Sequence, residues 1–232
     1  MNLREAIETA VTQPIRALSP LSGGQIGDVY RVTLADGTPL VIKFDDGPEP
    51  QLDIEGNMLR YLAEHTKLPV PDVIFSQPHL LIMEWRPGQS RFSPQAEADA
   101  AEHLAALHAV TAPDFGFPFM TLIGAFTQPN PPTAGWLDFF REQRIFHLMR
   151  EGVKLGRLPQ SFVPRLEKLG GQLNRWLAEP ERPSLIHGDI WTSNVLAENG
   201  RVTAFLDPAL YFAIDEMELA YIALFKSFGA PF

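Results

Sequence analysis

Cysteine is absent from all 232 residues. That excludes disulfides, zinc–thiolate centres and cysteine nucleophiles. Long apolar runs are absent too: none approaches the roughly 18 residues that cross a membrane. The first residues, MNLREAIETA, lack the basic-then-apolar pattern of a secretory signal. Positive charge is scarce. Lys and Arg number 19 against 28 Asp and Glu, a net charge of −9, and no basic stripe offsets it. Duplex nucleic acid is held by such stripes and is a poor partner. A local pocket for a nucleotide is not excluded. These absences leave a cytoplasmic enzyme or binding protein as the expectation, with neither nucleic acid nor membrane as partner. Apolar residues make up 45%, and the chain is long enough to bury a core as one large domain or two smaller units.

What is present changes character along the chain. Asn2 and Glu5 have capping-box spacing, and Leu3, Ala6, Ile7 and Ala10 share a helical face. VYRVTL and PLVIKF alternate as strands do, with Asp36-Gly37 as the hairpin turn between them. LSGGQIGD, ahead of them, is a glycine-rich loop between strand candidates. QLDIEGNMLRYLAEH predicts a helix with Ile54, Met58, Leu59 and Leu62 on one face. VPDVIFS and HLLIMEW then read as strands about a Gln77-Pro78 turn.

RPGQS interrupts the pattern. An N-terminal lobe (residues 1–86) and a C-terminal lobe (87–232) are expected to meet there. Beyond it, PQAEADAAEHLAALHAV, GWLDFFREQRIFHLMREG and SFVPRLEKLGGQLNRWLAE each predict a helix, and a last one spans Ile214 to Lys226. Asn199-Gly200 predicts another hairpin. Residues 113–133, rich in Pro, Gly and Phe, read as one long loop packed by its aromatics. The expected class is α+β and bilobal: an antiparallel sheet with one main helix, then a mainly helical lobe.

Five features bear chemistry, in a telling order. Gly23, Gly24 and Gly27 sit between strand candidates. Alone such a loop is an ordinary turn, but glycines also let backbone N–H groups cradle phosphate oxygens. It is not a Walker loop, for no Gly-Lys-Ser/Thr follows, nor a dinucleotide fingerprint, for a strand follows rather than a helix. Lys43 in VIKF reads as an outward strand lysine or as a phosphate clamp. Glu55, on the following helix, is a solvated glutamate or the partner of Lys43, with Asp53 the alternative partner. Asp189 and Asn194 lie in LIHGDIWTSNVL. An Asp can accept a hydroxyl proton, and an Asn carbonyl oxygen can ligate Mg²⁺. Asp207, ending the apolar AFLD run, suits a second Mg²⁺ contact. Glycine loop, strand Lys, helix Glu, Asp-x₄-Asn and strand-end Asp form the part list of phosphoryl transfer in the protein-kinase-like fold.

HGDIWTSN resembles the catalytic loop of aminoglycoside-phosphotransferase-like kinases, which have His-Gly-Asp where protein kinases have His-Arg-Asp. The Trp after the Asp, and LDPA in place of Asp-Phe-Gly, are similar to fructosamine kinases (ketosamine-3-kinases). GGQIGDVYRV, HLLIMEW and GWLDFFREQRI resemble that family too, so nearly the whole chain is covered. The resemblance implies an ATP- and Mg²⁺-dependent kinase acting on a sugar-type hydroxyl of a ketoamine, on a small amine or a glycated lysine. It makes Asp189 the base, Asn194 and Asp207 the metal ligands, Lys43 the phosphate contact paired to Glu55, and Met83-Glu84-Trp85 the adenine hinge. It allows Trp191 to shape the acceptor pocket, or to be a core aromatic.

Gln128 and Asn130, in the long loop, are candidates to line the acceptor cleft. Asp215, Glu216 and Glu218 read as favourable charges at a helix N-terminus, with an acceptor amine as the other role for such a carboxylate, Glu218 included. His108 and His147 are expected to be packed, and His187 to brace the loop. Some family members have a Cys in the glycine loop, implicated in thiol-linked dimers. Gln25 occupies that region here, which excludes a Cys-based dimer. Family chains run several tens of residues beyond the point matching Phe232, so a longer natural chain is expected. An aminoglycoside- or choline-type phosphotransferase and a nucleotide-binding pseudokinase remain the alternatives. A protein kinase is disfavoured, with no Ala-Pro-Glu after Asp207.

Overall fold

The computed structural model describes residues 2–21 and 28–232. Gly23, Gly24, Gln25 and Gly27 lie outside the described residues. The chain opens with α1 (Leu3–Val11), whose N-terminus is capped by the Asn2 side chain accepting from the Arg4 N–H. Five antiparallel strands follow: β1 (Ile15–Pro20), β2 (Asp28–Leu34), β3 (Pro39–Phe44), β4 (Val73–Gln77) and β5 (Leu80–Glu84), in spatial order β1-β2-β3-β5-β4. α2 (Leu52–His65) connects β3 to β4.

Strand parity decides what each sheet face does. Val32, Leu34, Leu40, Ile42, Leu80 and Ile82 form one core with Ile7 of α1. The intervening residues take the other face. There Leu81 and Met83 join the core that includes Met58, Leu59 and Leu62 of α2. Lys43 has the parity of Val41 and stands opposite Val29 on β2 and Leu81 on β5. It is therefore in a central strand, not at a sheet edge, and it is turned away from the α1 face.

The second lobe begins with α3 (Pro94–His108), capped by Ser93 accepting from the Ala96 N–H. Residues 113–133 are not a plain loop. A short hairpin interrupts them, β6 (Thr121–Ile123) and β7 (Phe126–Gln128), turning at Gly124 with φ +53°. Three-residue strands are too short to show alternation, so the pattern missed them. α4 (Trp136–Phe139) runs through a π-helical stretch, Phe140–Phe146, into α5 (His147–Lys154). The predicted helix across SFVPRLEKLGGQLNRWLAE is broken: α6 (Val163–Gly170) stops, and only a 3₁₀ turn, Leu173–Arg175, follows. Gly170-Gly171 ends it. A Cβ on Gly170 would lie 2.6 Å from the Phe146 ring, so the glycine lets α6 approach the π-helical stretch.

Two small antiparallel ladders complete the lobe. β8 (Ser184–Ile186) pairs with β11 (Tyr211–Ala213), and β9 (Val195–Glu198) with β10 (Arg201–Phe205), the latter pair turning at Asn199-Gly200. α7 (Asp215–Phe225) ends the described elements. The architecture is α+β, with the antiparallel sheet and its helix first and helices and short ladders after. Among the described residues no helix is long and apolar enough to cross a membrane.

Candidate active site

The site is built where the two ladders meet. Residues 187–194 connect β8 to β9, and Asp207 follows β10. Two backbone hydrogen bonds stitch these segments: the Ala209 N–H to the His187 carbonyl at 2.8 Å, and the Leu206 N–H to the Asn194 carbonyl at 2.8 Å. The first explains the glycine of the His-Gly-Asp run. Gly188 has φ +85°, and a Cβ there would lie 2.3 Å from the Ala209 carbonyl oxygen. Only glycine fits a left-handed turn pressed onto backbone. Asp207 is itself left-handed at φ +53°, a conformation that Asp tolerates better than most residues.

The Asp189 carboxylate is held on both oxygens. Asn194 Nδ2 donates to Oδ2 at 2.9 Å and to the Asp189 carbonyl at 3.0 Å. The Tyr221 hydroxyl, from α7, donates to Oδ1 at 2.7 Å. With its amide nitrogen used in this way, the Asn194 side-chain oxygen, Oδ1, accepts no hydrogen bond among the described residues. Burial raises the Asp189 pKa above the usual carboxylate range, and the Tyr221 hydrogen bond opposes that rise. His187 is fully buried; burial lowers its pKa, and its Nδ1 accepts the Asp189 N–H at 3.3 Å. That is the bracing role expected of it.

Lys43 reaches across from β3. Its Nζ is 2.8 Å from Glu55 Oε1 and also bonds Asp207 Oδ1. Glu55, not Asp53, is the helix partner. Burial alone would lower the Lys43 pKa, but Asp207 and Glu55 more than offset it and hold the ammonium well above the ordinary lysine value. Burial pushes Glu55 up, against the pull of Lys43, whereas Lys43 outweighs burial at Asp207 and keeps that carboxylate low.

Three cavities surround these groups, the narrow middle one sharing lining residues with each of the others. One cavity of about 390 Å³ is lined by Val29, Val41, Met83, Glu84 and Trp85 on one side and by Leu196 and Leu206 on the other, with Lys43, Asn194 and Asp207 at one end. Trp85, past the end of β5, makes no backbone hydrogen bond among the described residues, and the Arg31 guanidinium stacks on its ring at 4.2 Å. A narrow space of about 70 Å³ holds Lys43, Glu55, Asp189, Trp191, Asn194 and Asp207 together. A third cavity, about 470 Å³, opens beyond Asp189 between Trp191, Tyr221 and the β6–β7 hairpin. Trp191 thus borders two parts of the cleft and is not a core aromatic.

Three candidates lie elsewhere. Gln128 and Asn130 are 4% and 6% exposed. Gln128 Nε2 donates to the Leu122 and Ala209 carbonyls, and Asn130 Nδ2 to the Phe119 carbonyl and Thr121 Oγ1. Asn130 Oδ1 accepts from Arg144 at 2.6 Å. They do not line the cleft; they satisfy the backbone of the buried loop. Glu218 is 2% exposed. Its oxygens meet His108 Nε2 and the Gly188 N–H, each at 2.7 Å, so it is not open to an acceptor amine. His147 bonds the Thr127 carbonyl at 2.7 Å. Tyr221 was not singled out in the sequence. Only the fold brings it to Asp189, and no motif marks it.

The fructosamine kinase family profile matches residues 2–232. A protein named a probable ketoamine kinase, from Synechocystis sp., is 31% identical over 99% of this chain and 79% of its own. A solved structure provisionally named fructosamine-3-kinase, from Thermobifida fusca, is 32% identical at a TM-score of 0.83, covering 97% of this chain and 78% of that one. A thermostable mutant of an aminoglycoside phosphotransferase, 18% identical at a TM-score of 0.67 over 96% of this chain and 76% of that one, has the same protein-kinase-like fold.

Proposed function

Because the chain belongs to the fructosamine kinase family, a family of small-molecule kinases that phosphorylate a sugar-type hydroxyl, we propose that it transfers the γ-phosphoryl group of ATP, with Mg²⁺, to a hydroxyl of a ketoamine, in deglycation. The observation that carries this reading is the position of Asp189. It stands between the Lys43–Asn194–Asp207 group, which suits phosphate and metal, and a separate cavity of acceptor size.

In this reading the N-terminal lobe, residues 1–86, supplies the nucleotide site. The base slides between Val29 and Val41 above and Leu196 and Leu206 below, its edge meeting the unpaired backbone at Trp85. Lys43, kept charged by Glu55 and Asp207, meets the phosphates. Residues 87–232 supply the chemistry. Asp189, pinned on both oxygens, retains lone pairs to accept the acceptor's hydroxyl proton as that oxygen attacks. Trp191 forms a wall of the acceptor side.

The donor set fits Mg²⁺. Among the described residues no group of three His, Cys, Asp or Glu side chains forms a cage. One carboxylate, Asp207, and one unpartnered amide carbonyl, Asn194, match an ion that takes few protein ligands and completes its shell with phosphates and water. Bound there, it would neutralise charge on the transferring phosphoryl group. A cytoplasmic setting is part of this proposal. The test is an assay with Mg·ATP and fructosyl-lysine, ribulosyl-lysine, choline and an aminoglycoside as acceptors. Turnover of a ketoamine is expected. No turnover of either ketoamine would overturn the acceptor class, and binding of Mg·ATP with transfer to none of the four would favour a binding module.

A further inference from the structure

The cavity beyond Asp189 has a distinct chemical layout. Trp191, Tyr221, Phe225 and Phe126 give it aromatic walls, the β6–β7 turn adds Ile123, Gly124 and Ala125, and Asp189 and Arg157 are its charged groups. Arg157 is its cation and Asp189 its carboxylate. Arg157 does not dangle from a free loop. Gly156, at φ +68°, turns the chain at the end of α5, and the Arg157 N–H bonds the Gly152 carbonyl at 2.8 Å. The guanidinium carbon lies 5.5 Å from the Phe126 ring centroid. The β6–β7 hairpin holding that ring is tied to α5 by the bond from His147 to the Thr127 carbonyl. Stacking engages the face of a guanidinium and leaves its N–H edges to a ligand. No carboxylate is within salt-bridge distance of Arg157 among the described residues.

We propose that Arg157 is a carboxylate-recognising subsite of the acceptor pocket, and that the preferred acceptor is a ketoamine of a free amino acid. This deepens the ketoamine-kinase reading and rests on it. The chemistry discriminates between two sources of ketoamine. A free glycated amino acid keeps a carboxylate, whereas a glycated lysine inside a protein has given its carboxyl to a peptide bond. In a pocket that places a hydroxyl on Asp189 and a carbon chain on aromatic walls, a remaining anion meets the one cation in the lining. A forked guanidinium reads the two oxygens of a carboxylate together, which a carboxamide cannot reproduce.

The experiment compares kcat/KM for Nα-acetyl-Nε-fructosyl-lysine and its carboxamide, in the wild type and in Arg157→Gln. The wild type is expected to favour the acid about tenfold, and the acid-to-amide ratio is expected to fall to about one in Arg157→Gln. Arg157→Lys, a point charge without the fork, is expected to fall between them. Equal kcat/KM for acid and amide in the wild type, or a preference that survives Arg157→Gln, would overturn the subsite. Turnover of 1-deoxy-1-morpholinofructose, a ketoamine without a carboxylate, by the wild type keeps the failure of the subsite distinct from failure of the ketoamine reading. No turnover of any of these acceptors by the wild type would overturn both.

Discussion

The Tyr221 hydroxyl donates a 2.7 Å hydrogen bond to Asp189 Oδ1. One turn earlier on α7, Glu218 accepts from the Gly188 N–H, and past its end Ser227 Oγ donates to the Ile190 carbonyl at 3.3 Å. α7 and the turn after it therefore grip three successive residues of the loop that bears the proposed base.

Tyr221→Phe removes one hydrogen bond to a charged oxygen and almost no volume. Such bonds are worth about 1.5–3 kcal/mol, so kcat should fall roughly tenfold or more, with KM for ATP unchanged. The bond also lowers the Asp189 pKa against burial. Its loss should move the acid limb of the kcat/KM profile to higher pH, because the carboxylate must be ionised to accept a proton. Steady-state kinetics across pH will read both effects, and an unmoved acid limb would argue against Asp189 as the base.

Asp189→Asn keeps the shape of the loop but removes the base; its one amide oxygen can accept from only one of Asn194 and Tyr221. Phosphoryl transfer should drop by about 10²–10⁴, while nucleotide affinity, measured by calorimetry, should stay within a few-fold of wild type.

Glu55→Gln leaves Lys43 with Asp207 as its one carboxylate. The lysine is buried and doubly paired, and removing one partner of a buried pair costs about 3–5 kcal/mol when it leaves a charge uncompensated. Asp207 limits that loss here, so the expected outcome is a smaller fall in stability and a rise of about tenfold in KM for ATP. Denaturant unfolding and ATP titration together measure it.

Glu218→Ala strands two buried partners, His108 Nε2 and the Gly188 N–H. Each unsatisfied group costs about 1–3 kcal/mol, which for a chain of this size corresponds to a fall in Tm of roughly 5–15 °C. Scanning calorimetry gives the shift. The relative rates on different ketoamines should not change. A selective loss on cationic acceptors without a Tm change would return Glu218 to the acceptor site.

Local patterns made much of the fold legible. Alternation in β2 and β3, the Asp36-Gly37 turn, the face of α2 and the cap of α1 are signals within a few residues of one another. The elements missed were those whose cause is distant. β6 and β7 are three residues each, and the buried amides of Gln128 at the end of β7 and Asn130 just after it resemble cleft residues until the loop is seen to close around them. Gly170-Gly171 looked like part of a helix because the Phe146 ring that requires the gap is 24 residues away.

The sequence by itself carried the kinase-like order of parts, because a glycine loop, a strand lysine and an Asp-x₄-Asn run are written into short stretches of chain, and its resemblance at HGDIWTSN and LDPA pointed to the family. The tertiary structure settled Glu55 over Asp53 as the partner of Lys43, and it alone decided what Glu218 does. Glu55 and Glu218 are both helical glutamates, yet one meets Lys43 and the other His108 and Gly188. A buried carboxylate takes its role from whichever donor the fold brings within about 3 Å. The donors to Glu218 lie 110 and 30 positions away in the chain, beyond the reach of any local pattern.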